Sequence, residues 1–503
     1  MPAAPAAPAA QRDDDIAALA KGGRTNVFGF LLRLAARIPF LFIAGRLYGP
    51  EALGRFAYAI LIVELLAQLA TMGLRRGLAE QLANDDRDPA HVVADGLMLS
   101  IFVAILGGAF LIAVPQLMFP NSEINGFDRF LPVMIIAIVT TEIALAALAY
   151  RFDIASAVRA RAVIEPWTIS IGAGVLFFYS ARDGLILAYV ASLAAGMIAS
   201  LWPLWRNYGT PFGWRPDPQR LWAMGRRNLP LAAADAAEWG SRRLDLVILG
   251  LFASPAVVGI YYAAQQVASL PQKLKTSFDP ILGPVITRNL ADKQYTEIAK
   301  QIGQVGFWII AAQAGIALAL GIPGESVMGL LGPQFVGGTG AMILLLAAEV
   351  AASTAVVSES ALVYLARHRN LMISVGMLVV EALLCLILIK GVDLLHLEPR
   401  AHGLFQAAAV ALALTLALTM ASVVKVRLLQ RLLGATVTIW RSALLLAVAV
   451  GIIVGFGVSY LSGWLQLAIG IPAILGSYGW MIWTRGFGES DRVLFRKAPD
   501  TVE

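Results

Sequence analysis

The segment between Arg24 and Leu78 constrains the fold more than any other part of the sequence. It contains two apolar stretches of about 20 residues, the length that a helix needs to span the hydrocarbon core of a bilayer. A tight turn rich in glycine and proline joins them. Only a helix satisfies its own backbone hydrogen bonds in lipid. The segment is therefore predicted to be a transmembrane helical hairpin.

The same pattern recurs later in the chain, at a shift of 205 residues (259 − 54). The shift aligns Leu41, Ile43, Gly45, Pro50, Gly54 and Ala59 with Leu246, Ile248, Gly250, Pro255, Gly259 and Ala264. It also aligns Phe56 with Tyr261 and Arg37 with Arg242. An internal repeat of this size predicts two similar helical lobes in one chain.

Composition extends the membrane assignment to the whole chain. Apolar residues make up 58% of the sequence, charged residues make up 14%, and the mean hydropathy is +0.73. These values are typical of a polytopic membrane protein. The single cysteine, Cys385, excludes an intramolecular disulfide, and the four histidines are scattered. No metal and no cofactor are predicted.

Hydropathy predicts an all-α polytopic membrane protein of about 14 transmembrane helices, arranged as two repeat-related six-helix lobes plus two C-terminal helices. The predicted spans are 25–47, 52–74, 92–118, 129–150, 162–180, 184–205, 229–252, 256–284, 304–323, 338–364, 370–390, 401–424, 438–461 and 463–484. The predicted organisation is a disordered or interfacial tail (1–23), an N-lobe (24–205), an amphipathic linker (206–228), a C-lobe (229–424), two further helices (425–484) and a cytoplasmic tail (485–503).

The distribution of positive charge predicts the orientation of these helices. Most of the 39 lysines and arginines fall in one set of loops, which includes the basic residues within 75–87, 151–161 and 206–227. Basic residues in short loops mark the cytoplasmic side, so both termini are predicted to be cytoplasmic. The opposite loops are short, which argues against an extracytoplasmic catalytic domain and hence against an enzyme.

Ionisable residues inside the predicted spans are the candidate functional groups. A charged side chain at bilayer depth costs at least a few kcal/mol, so it is expected to face a partner or a wet cavity. Arg33 and Arg37 lie four residues apart on one face of helix 1, without an acidic neighbour in that helix. Their counter-charge is either a carboxylate of another helix, such as Glu64, Glu142 or Glu238, or a bound anion.

The predicted helix 7 carries the densest cluster of charge. Glu238 lies four residues before Arg242, so these two side chains are able to pair locally, and Arg243 follows. Either the cluster neutralises itself and pins helix 7 to its neighbours, or its arginines bind an anion together with Arg33 and Arg37. Arginine suits phosphate because its planar fork donates two parallel hydrogen bonds and stays charged when desolvated. Such a site would select an anionic head group, for example a diphosphate.

Three other carboxylates, Asp235, Glu142 and Glu381, are candidate sites for a coupling proton or sodium ion. The alternative for each is a paired structural charge. The chain has no GxxxxGK[ST] loop, so ATP bound to this chain is not expected to drive transport.

Between Gly45 and Ala57 the sequence is GRLYGPEALGRFA, and the second copy of the repeat contains LFASPAVVGIYYA. The first resembles the turn after helix 1 in the polysaccharide transporter (Wzx-type) flippases, in the MOP superfamily with MATE exporters and MurJ-type lipid II flippases. The resemblance implies alternating access in a bacterial inner membrane, with an undecaprenyl-diphosphate-linked oligosaccharide as cargo. Family members often have a cationic lumen, and Arg33, Arg37 and Arg242 match that pattern by position.

The partners implied are the lipid-linked oligosaccharide, membrane lipids, a proton or sodium ion, and polysaccharide polymerase or assembly proteins. Three alternatives stay open: a MurJ-like lipid II flippase, a MATE-like ion-coupled exporter of small molecules, and a non-transporting component of a polysaccharide assembly complex. Arginines in the middle of helix 1 disfavour a cationic cargo, because like charges repel strongly at low dielectric. No nucleic-acid partner is predicted.

Overall fold

The structure is a computed structural model that describes residues 38–124, 126–240, 242–275, 286–290, 292–488 and 491, except for the side chains of residues 154 and 272–275. Across these residues the secondary structure is helical and contains no strand, which confirms the all-α fold class. The described residues divide into two compact units, the first ending at Tyr262 and the second beginning at Ala263.

The first unit contains ten helices and the start of an eleventh within the described residues. They are α1 (residues 38–48), α2 (Gly49–Ala70), α3 (Leu74–Asn84), α4 (Pro89–Ala113), α5 (Met134–Tyr150), α6 (Ile154–Val158), α7 (Glu165–Leu176), α8 (Gly184–Tyr208), α9 (Pro218–Gly240), α10 (Leu244–Phe252) and α11 (Pro255–Lys275), which continues into the second unit. A 3₁₀-helix, Gly126–Val133, leads into α5, and a π-helical turn, Arg159–Ile164, joins α6 to α7.

The second unit is built around one buried helix. Its elements are α12 (Tyr295–Gly321), α13 (Gly324–Gly329), α14 (Thr339–Leu365), α15 (Arg367–Asp393), α16 (Pro399–Leu433), α17 (Ser442–Val458), α18 (Gly463–Leu465) and α19 (Ile471–Met481). Phe307 and Trp308 of α12 belong to the same buried cluster as Leu444 of α17 and Tyr478 of α19. The Tyr478 hydroxyl donates a hydrogen bond to the Ala311 carbonyl at 2.7 Å, so this buried polar group is satisfied.

Nine helices in the described part of the chain are long and apolar enough to cross a membrane, and Ser442–Val458 is a shorter apolar helix. Large apolar side chains are exposed on their outer faces, for example Met372 and Ile387 of α15 and Ile453 of α17. Apolar surface of this extent is unfavourable in water but is the surface that lipid requires. The chain is therefore a multi-pass membrane protein.

Two boundaries differ from those predicted. Helix 7, predicted as one span at 229–252, is two helices, because α9 ends at Gly240 and α10 begins at Leu244. The linker predicted at 206–228 is short, since only residues 209–217 separate α8 from α9. The compact units also divide after Tyr262 and not in that linker, because α9, α10 and the first turns of α11 pack with the first unit.

The helices α2 and α11 cross at glycines that the repeat makes equivalent. A Cβ atom on Gly54 would lie 1.7 Å from the Pro255 carbonyl oxygen, and one on Gly259 would lie 1.9 Å from the Pro50 carbonyl oxygen. Because Pro50 and Gly54 align with Pro255 and Gly259, the contact is reciprocal. In lipid, helix association depends on close van der Waals packing, which small residues permit.

The close contact continues onto α10. A Cβ atom on Gly250 would lie 2.1 Å from the Tyr58 ring, and the Tyr58 hydroxyl is 3.4 Å from the Val247 carbonyl oxygen. The Asn121 side chain donates hydrogen bonds of 3.0 Å to the carbonyl oxygens of Gly250 and Ala253, which satisfies the C-terminal end of α10. These contacts fix α10 and the start of α11 against α2.

The Gly54→Ala substitution is expected to lower the free energy of unfolding by about 1–3 kcal/mol, because the added methyl group forces two backbones apart. The measurement is the midpoint of unfolding in detergent. Gly376→Ala, at a helical glycine with open space around its Cβ position, is the matched control and should not lower the midpoint. The effects of Gly54→Ala and Gly259→Ala on the midpoint should be less than additive when the two substitutions are combined, since both open the same contact. Equal midpoints for Gly54→Ala and Gly376→Ala would contradict the close crossing.

Candidate functional site

The two arginines predicted to anchor an anion, Arg33 and Arg37, lie outside the described residues. The structure describes the other predicted site residues, which are Glu142, Asp235, Glu238, Arg242, Arg243 and Glu381. All of these except Glu381 belong to the first unit, where two clusters of ion pairs contain them.

The first cluster lies where α3 packs against α9. The fully buried side chain of Asp235 pairs with Arg76 at 3.0 Å and with Arg75 at 3.5 Å. Arg76 also pairs with Glu238 at 2.5 Å, and Glu238 pairs in addition with Arg242 at 3.2 Å. The local pairing of Glu238 with Arg242, four residues apart, is thus present. Asp235 lies in an ion-pair cluster, and its role in ion coupling stays a prediction.

Glycines allow α3 to approach α9 this closely. Gly73 ends the turn before α3 with φ +70°, and a Cβ atom there would lie 2.6 Å from the Ala232 backbone nitrogen. A Cβ atom on Gly77, one turn later, would lie 1.9 Å from the side-chain oxygen of Asn228. The left-handed φ and the close approach both require glycine. The two glycines therefore bring Arg76 within reach of Asp235.

The second cluster joins α2, α5, α7, α8 and the start of α10, and Arg161 is its centre. The Arg161 guanidinium donates hydrogen bonds of 3.0 and 2.9 Å to the two carboxylate oxygens of Glu165, and it also donates to Glu142. The Glu165 carboxylate lies directly on Gly196 of α8, where a Cβ atom would be 2.4 Å from it. A larger residue at that position would displace the carboxylate from Arg161.

Glu64 of α2 belongs to the same cluster but has a different guanidinium partner. Its carboxylate is 3.3 Å from Nη1 of Arg243 and 3.5 Å from the hydroxyl of Tyr189. The Arg243 guanidinium also lies over the Trp239 ring, 5.4 Å from its centroid, within the range of a cation–π contact. Among the described residues, the second cluster thus contains three carboxylates, those of Glu64, Glu142 and Glu165, and two guanidiniums.

Arg161 and Glu165 are functional candidates that the sequence did not bring forward. The sequence predicts Arg161 in a cytoplasmic loop, whereas the structure places it in the π-helical turn Arg159–Ile164. Such turns are rare and frequently occur at functional sites. The available signal was the spacing of four residues between Arg161 and Glu165, which favours an ion pair on one helix face.

The buried Asp245 has hydrogen-bond partners at the start of α10 and on α11. In one continuous helix Asp245 would lie three residues from Arg242 on the same face, but Arg242 lies in the turn between α9 and α10. The buried Asp245 carboxylate instead accepts hydrogen bonds from the Tyr261 hydroxyl at 2.6 Å and from the Leu246 backbone at 2.7 Å. The break after Gly240 therefore separates the two charges.

In the second unit, Glu381 of α15 has no exposed surface. A carboxylate buried in this way has to be paired or protonated, and a role in ion coupling stays a prediction. A separate ion pair joins Lys425 of α16 to Glu359 of α14 at 2.9 Å. Asn370 and Ser374 of α15 complete it, the first donating to Glu359 and the second accepting from Lys425.

A polar cavity of about 230 Å³ lies at the corner between α3 and α4, beside Arg220 of α9. Hydrogen bonds from Arg87 lower the pKa of Asp85 below its ordinary value. Arg87 also pairs with the buried Asp95 at 2.8 Å, and the Trp214 indole donates to Asp95 at 2.8 Å. The carboxylates here are already paired with cations. Within the described residues, no group of three His, Cys, Asp or Glu side chains is placed to hold a metal ion.

The Arg161→Met substitution is expected to lower the free energy of unfolding by about 1–3 kcal/mol. Breaking a buried ion pair costs about 3–5 kcal/mol, and partial exposure reduces that cost. Adding Glu142→Gln and Glu165→Gln should recover most of the loss, because no carboxylate then lacks its cation. The measurement is the unfolding midpoint in detergent, with Arg159→Met, an exposed arginine of the same turn, as the control. A midpoint no lower than that of the control would contradict the central position of Arg161.

Known structures with a similar fold are membrane transporters and flippases. The lipid II flippase MurJ, in an inward closed conformation, superposes with a TM-score of 0.67 at 12% identity and covers 92% of this chain and 99% of its own. An inward-facing multidrug resistance MATE transporter of the MOP superfamily superposes with a TM-score of 0.62 at 14% identity and covers 80% of this chain and 98% of its own. A MOP superfamily transporter from Pyrococcus furiosus superposes with a TM-score of 0.53 at 15% identity and covers 84% of this chain and 96% of its own. Identities this low show the fold alone.

Sequence comparison identifies the family. None of the curated proteins matches this sequence. Residues 43–314, more than half of the chain, match the family described as "Polysaccharide biosynthesis protein". With the helical architecture above, the chain therefore belongs to the polysaccharide biosynthesis protein family and has the fold of the MOP superfamily transporters.

Proposed function

We propose that this protein is a flippase that moves an undecaprenyl-diphosphate-linked oligosaccharide, the repeat unit of a surface polysaccharide, across the bacterial inner membrane. The observation that carries the proposal is the match to a polysaccharide biosynthesis family in a chain with a transporter fold. Movement of the cargo from the cytoplasmic to the periplasmic leaflet by alternating access accounts for both the family match and the transporter fold. The termini are cytoplasmic in this proposal.

The physical difficulty of this reaction lies in the cargo's head group. A diphosphate is charged, and moving an unpaired charge into hydrocarbon is prohibitively costly. A protein lowers that cost by supplying hydrogen-bond donors that stay charged at bilayer depth, and arginine meets this requirement. We assign the head-group site to Arg33, Arg37, Arg242 and Arg243, with Glu238 beside them.

The pairing of Arg242 is compatible with this role. The side chains of Arg242 and Glu238 are 52% and 46% exposed, and their separation is 3.2 Å. An ion pair exposed to this degree is worth about 0–1 kcal/mol, so a partner with more charge displaces it. A phosphate that accepts two parallel hydrogen bonds binds a guanidinium more strongly than an exposed monodentate carboxylate does. In this scheme Glu238 occupies the place of a phosphate in the absence of cargo.

Energy for the transport cycle comes from an ion gradient in this proposal. The candidate sites for a proton or sodium ion are Glu142, Asp235 and Glu381. Polysaccharide polymerase and assembly proteins are the partners that would take the cargo on the periplasmic side.

The expected result of reconstitution is transport that depends on the helix 1 arginines. Vesicles containing the protein and a fluorescent undecaprenyl-diphosphate oligosaccharide are treated with a membrane-impermeant quencher, and the rate at which the probe reaches the outer leaflet is measured. Arg33→Gln with Arg37→Gln should lower that rate at least tenfold, because each hydrogen bond to a charged group contributes about 1.5–3 kcal/mol. Arg129→Gln, an exposed arginine in a predicted far-side loop, should not change it.

The same vesicles separate the alternative cargoes. Fluorescent lipid II moved as fast as the oligosaccharide would favour the lipid II function, and export of a cationic dye would favour a MATE-like function. A normally folded double variant with an unchanged flipping rate would refute the roles assigned to Arg33 and Arg37.

A further inference from the structure

We propose that Glu64 takes up one proton when Arg243 leaves it to bind the cargo's diphosphate, so that cargo binding and protonation are coupled through one ion pair. The inference rests on the proposed function and deepens it by adding Glu64 to the candidate proton sites and naming the step that loads it. Glu64, Arg243 and Tyr189 are together called the exchange site below.

The geometry of the exchange site allows such a step. Arg243 caps the start of α10, where the chain turns after α9, so its backbone lies outside regular helix. The Glu64 and Arg243 side chains are 29% and 35% exposed at a separation of 3.3 Å. A pair about one-third exposed is accessible to a competing anion and to a proton. The Tyr189 hydroxyl is 3.5 Å from the Glu64 carboxylate.

The other guanidinium of the second cluster, that of Arg161, pairs with carboxylates other than Glu64. Arg161 pairs with both Glu142 and Glu165, on α5 and α7. On α9, Asp235 and Glu238 pair with Arg76 of α3. On α1, Arg46 lies over the Phe42 ring. Within the described residues, Arg243 is therefore the cation paired with Glu64.

Counting charge shows why a proton accompanies the cargo. Within the described residues, three carboxylates and two guanidiniums give the second cluster a net charge of −1 (−3 + 2). If Arg243 pairs with a phosphate oxygen and nothing else changes, Glu64 is an ionised carboxylate without its cation, and it repels the carboxylate of Glu165. Protonation of Glu64 then compensates the charge that the phosphate brings.

Each bond in the step is accounted for. The hydrogen bond from Arg243 to Glu64 breaks, and one from Arg243 to a phosphate oxygen forms. A proton from water adds to a carboxylate oxygen of Glu64, which is left as a neutral acid beside the Tyr189 hydroxyl. The exchange site plus one phosphate charge has a net charge of −1 before proton uptake and 0 after it, and no electron is transferred.

Thermodynamic linkage turns this step into a measurable effect. If cargo binding adds one proton, a lower pH strengthens cargo binding, by up to tenfold per pH unit. The probe is undecaprenyl diphosphate bearing one sugar, because the resulting diester does not titrate near neutral pH. Titration calorimetry of the full-length protein in two buffers of different ionisation enthalpy counts the protons taken up per probe bound.

The wild-type protein is expected to take up about one proton per probe bound. Glu64→Gln should abolish both the proton uptake and the pH dependence of the affinity, since glutamine does not ionise. Glu80→Gln removes an exposed carboxylate that pairs with Arg227 and should leave both unchanged. Tyr189→Phe removes the hydroxyl beside the ionised Glu64 and should move the midpoint of the pH dependence upward, which a purely structural role would not do.

Each outcome decides the proposal. Probe binding without proton uptake would overturn the coupling but leave the proposed function standing, whereas no binding at any pH would overturn both. Full proton uptake by Glu64→Gln, or an unchanged midpoint in Tyr189→Phe, would overturn the assignment to Glu64. An affinity that follows the sodium concentration and not pH would overturn the choice of a proton.

Discussion

A guanidinium or carboxylate that packs between helices needs a partner, and this requirement organises the first unit. Arg161 joins α5 to α7, Arg243 joins α10 to α2, and Asp235 joins α9 to α3. Each of these pairs connects two helices, so together they specify which helices are neighbours. Removing one partner leaves the other charge without its counter-charge. The apolar residues make the helices, and the ion pairs select their arrangement.

The exposed fraction of the side chains distinguishes the ion pairs that stabilise the fold from the ion pairs in which a ligand can replace one partner. Arg55 and Asp128 pair at 2.7 Å with side chains 12% and 0% exposed, so this pair is largely closed to solvent. The pairs of Arg242 and Arg243 are far more accessible and correspondingly weak. A transporter needs both kinds, because a site that binds its cargo has to release it as well. In our proposals the accessible pairs serve the cargo and the proton.

Local features were predictable from the sequence, and features that depend on distant residues were not. The helices follow from runs of apolar residues, and the pairing of Glu238 with Arg242 follows from a spacing of four. Hydropathy predicts Arg161 in a loop, because it does not detect a contact with Glu142 on another helix. It does not predict the break after Gly240 either, since the flanking sequences are helical in composition on both sides. The anion site remains a prediction where it depends on Arg33 and Arg37.

The reciprocal crossing at Gly54 and Gly259 has a bearing on ancestry. A half-length chain with a single copy of this motif would present the same glycine face to a second molecule of itself, as a two-fold symmetric homodimer does. Gene duplication and fusion would then join two self-associating copies in one polypeptide, and the contact between the copies would already exist. The two glycines would thereafter covary as a pair, because a side chain at either position collides with the backbone of the opposite copy.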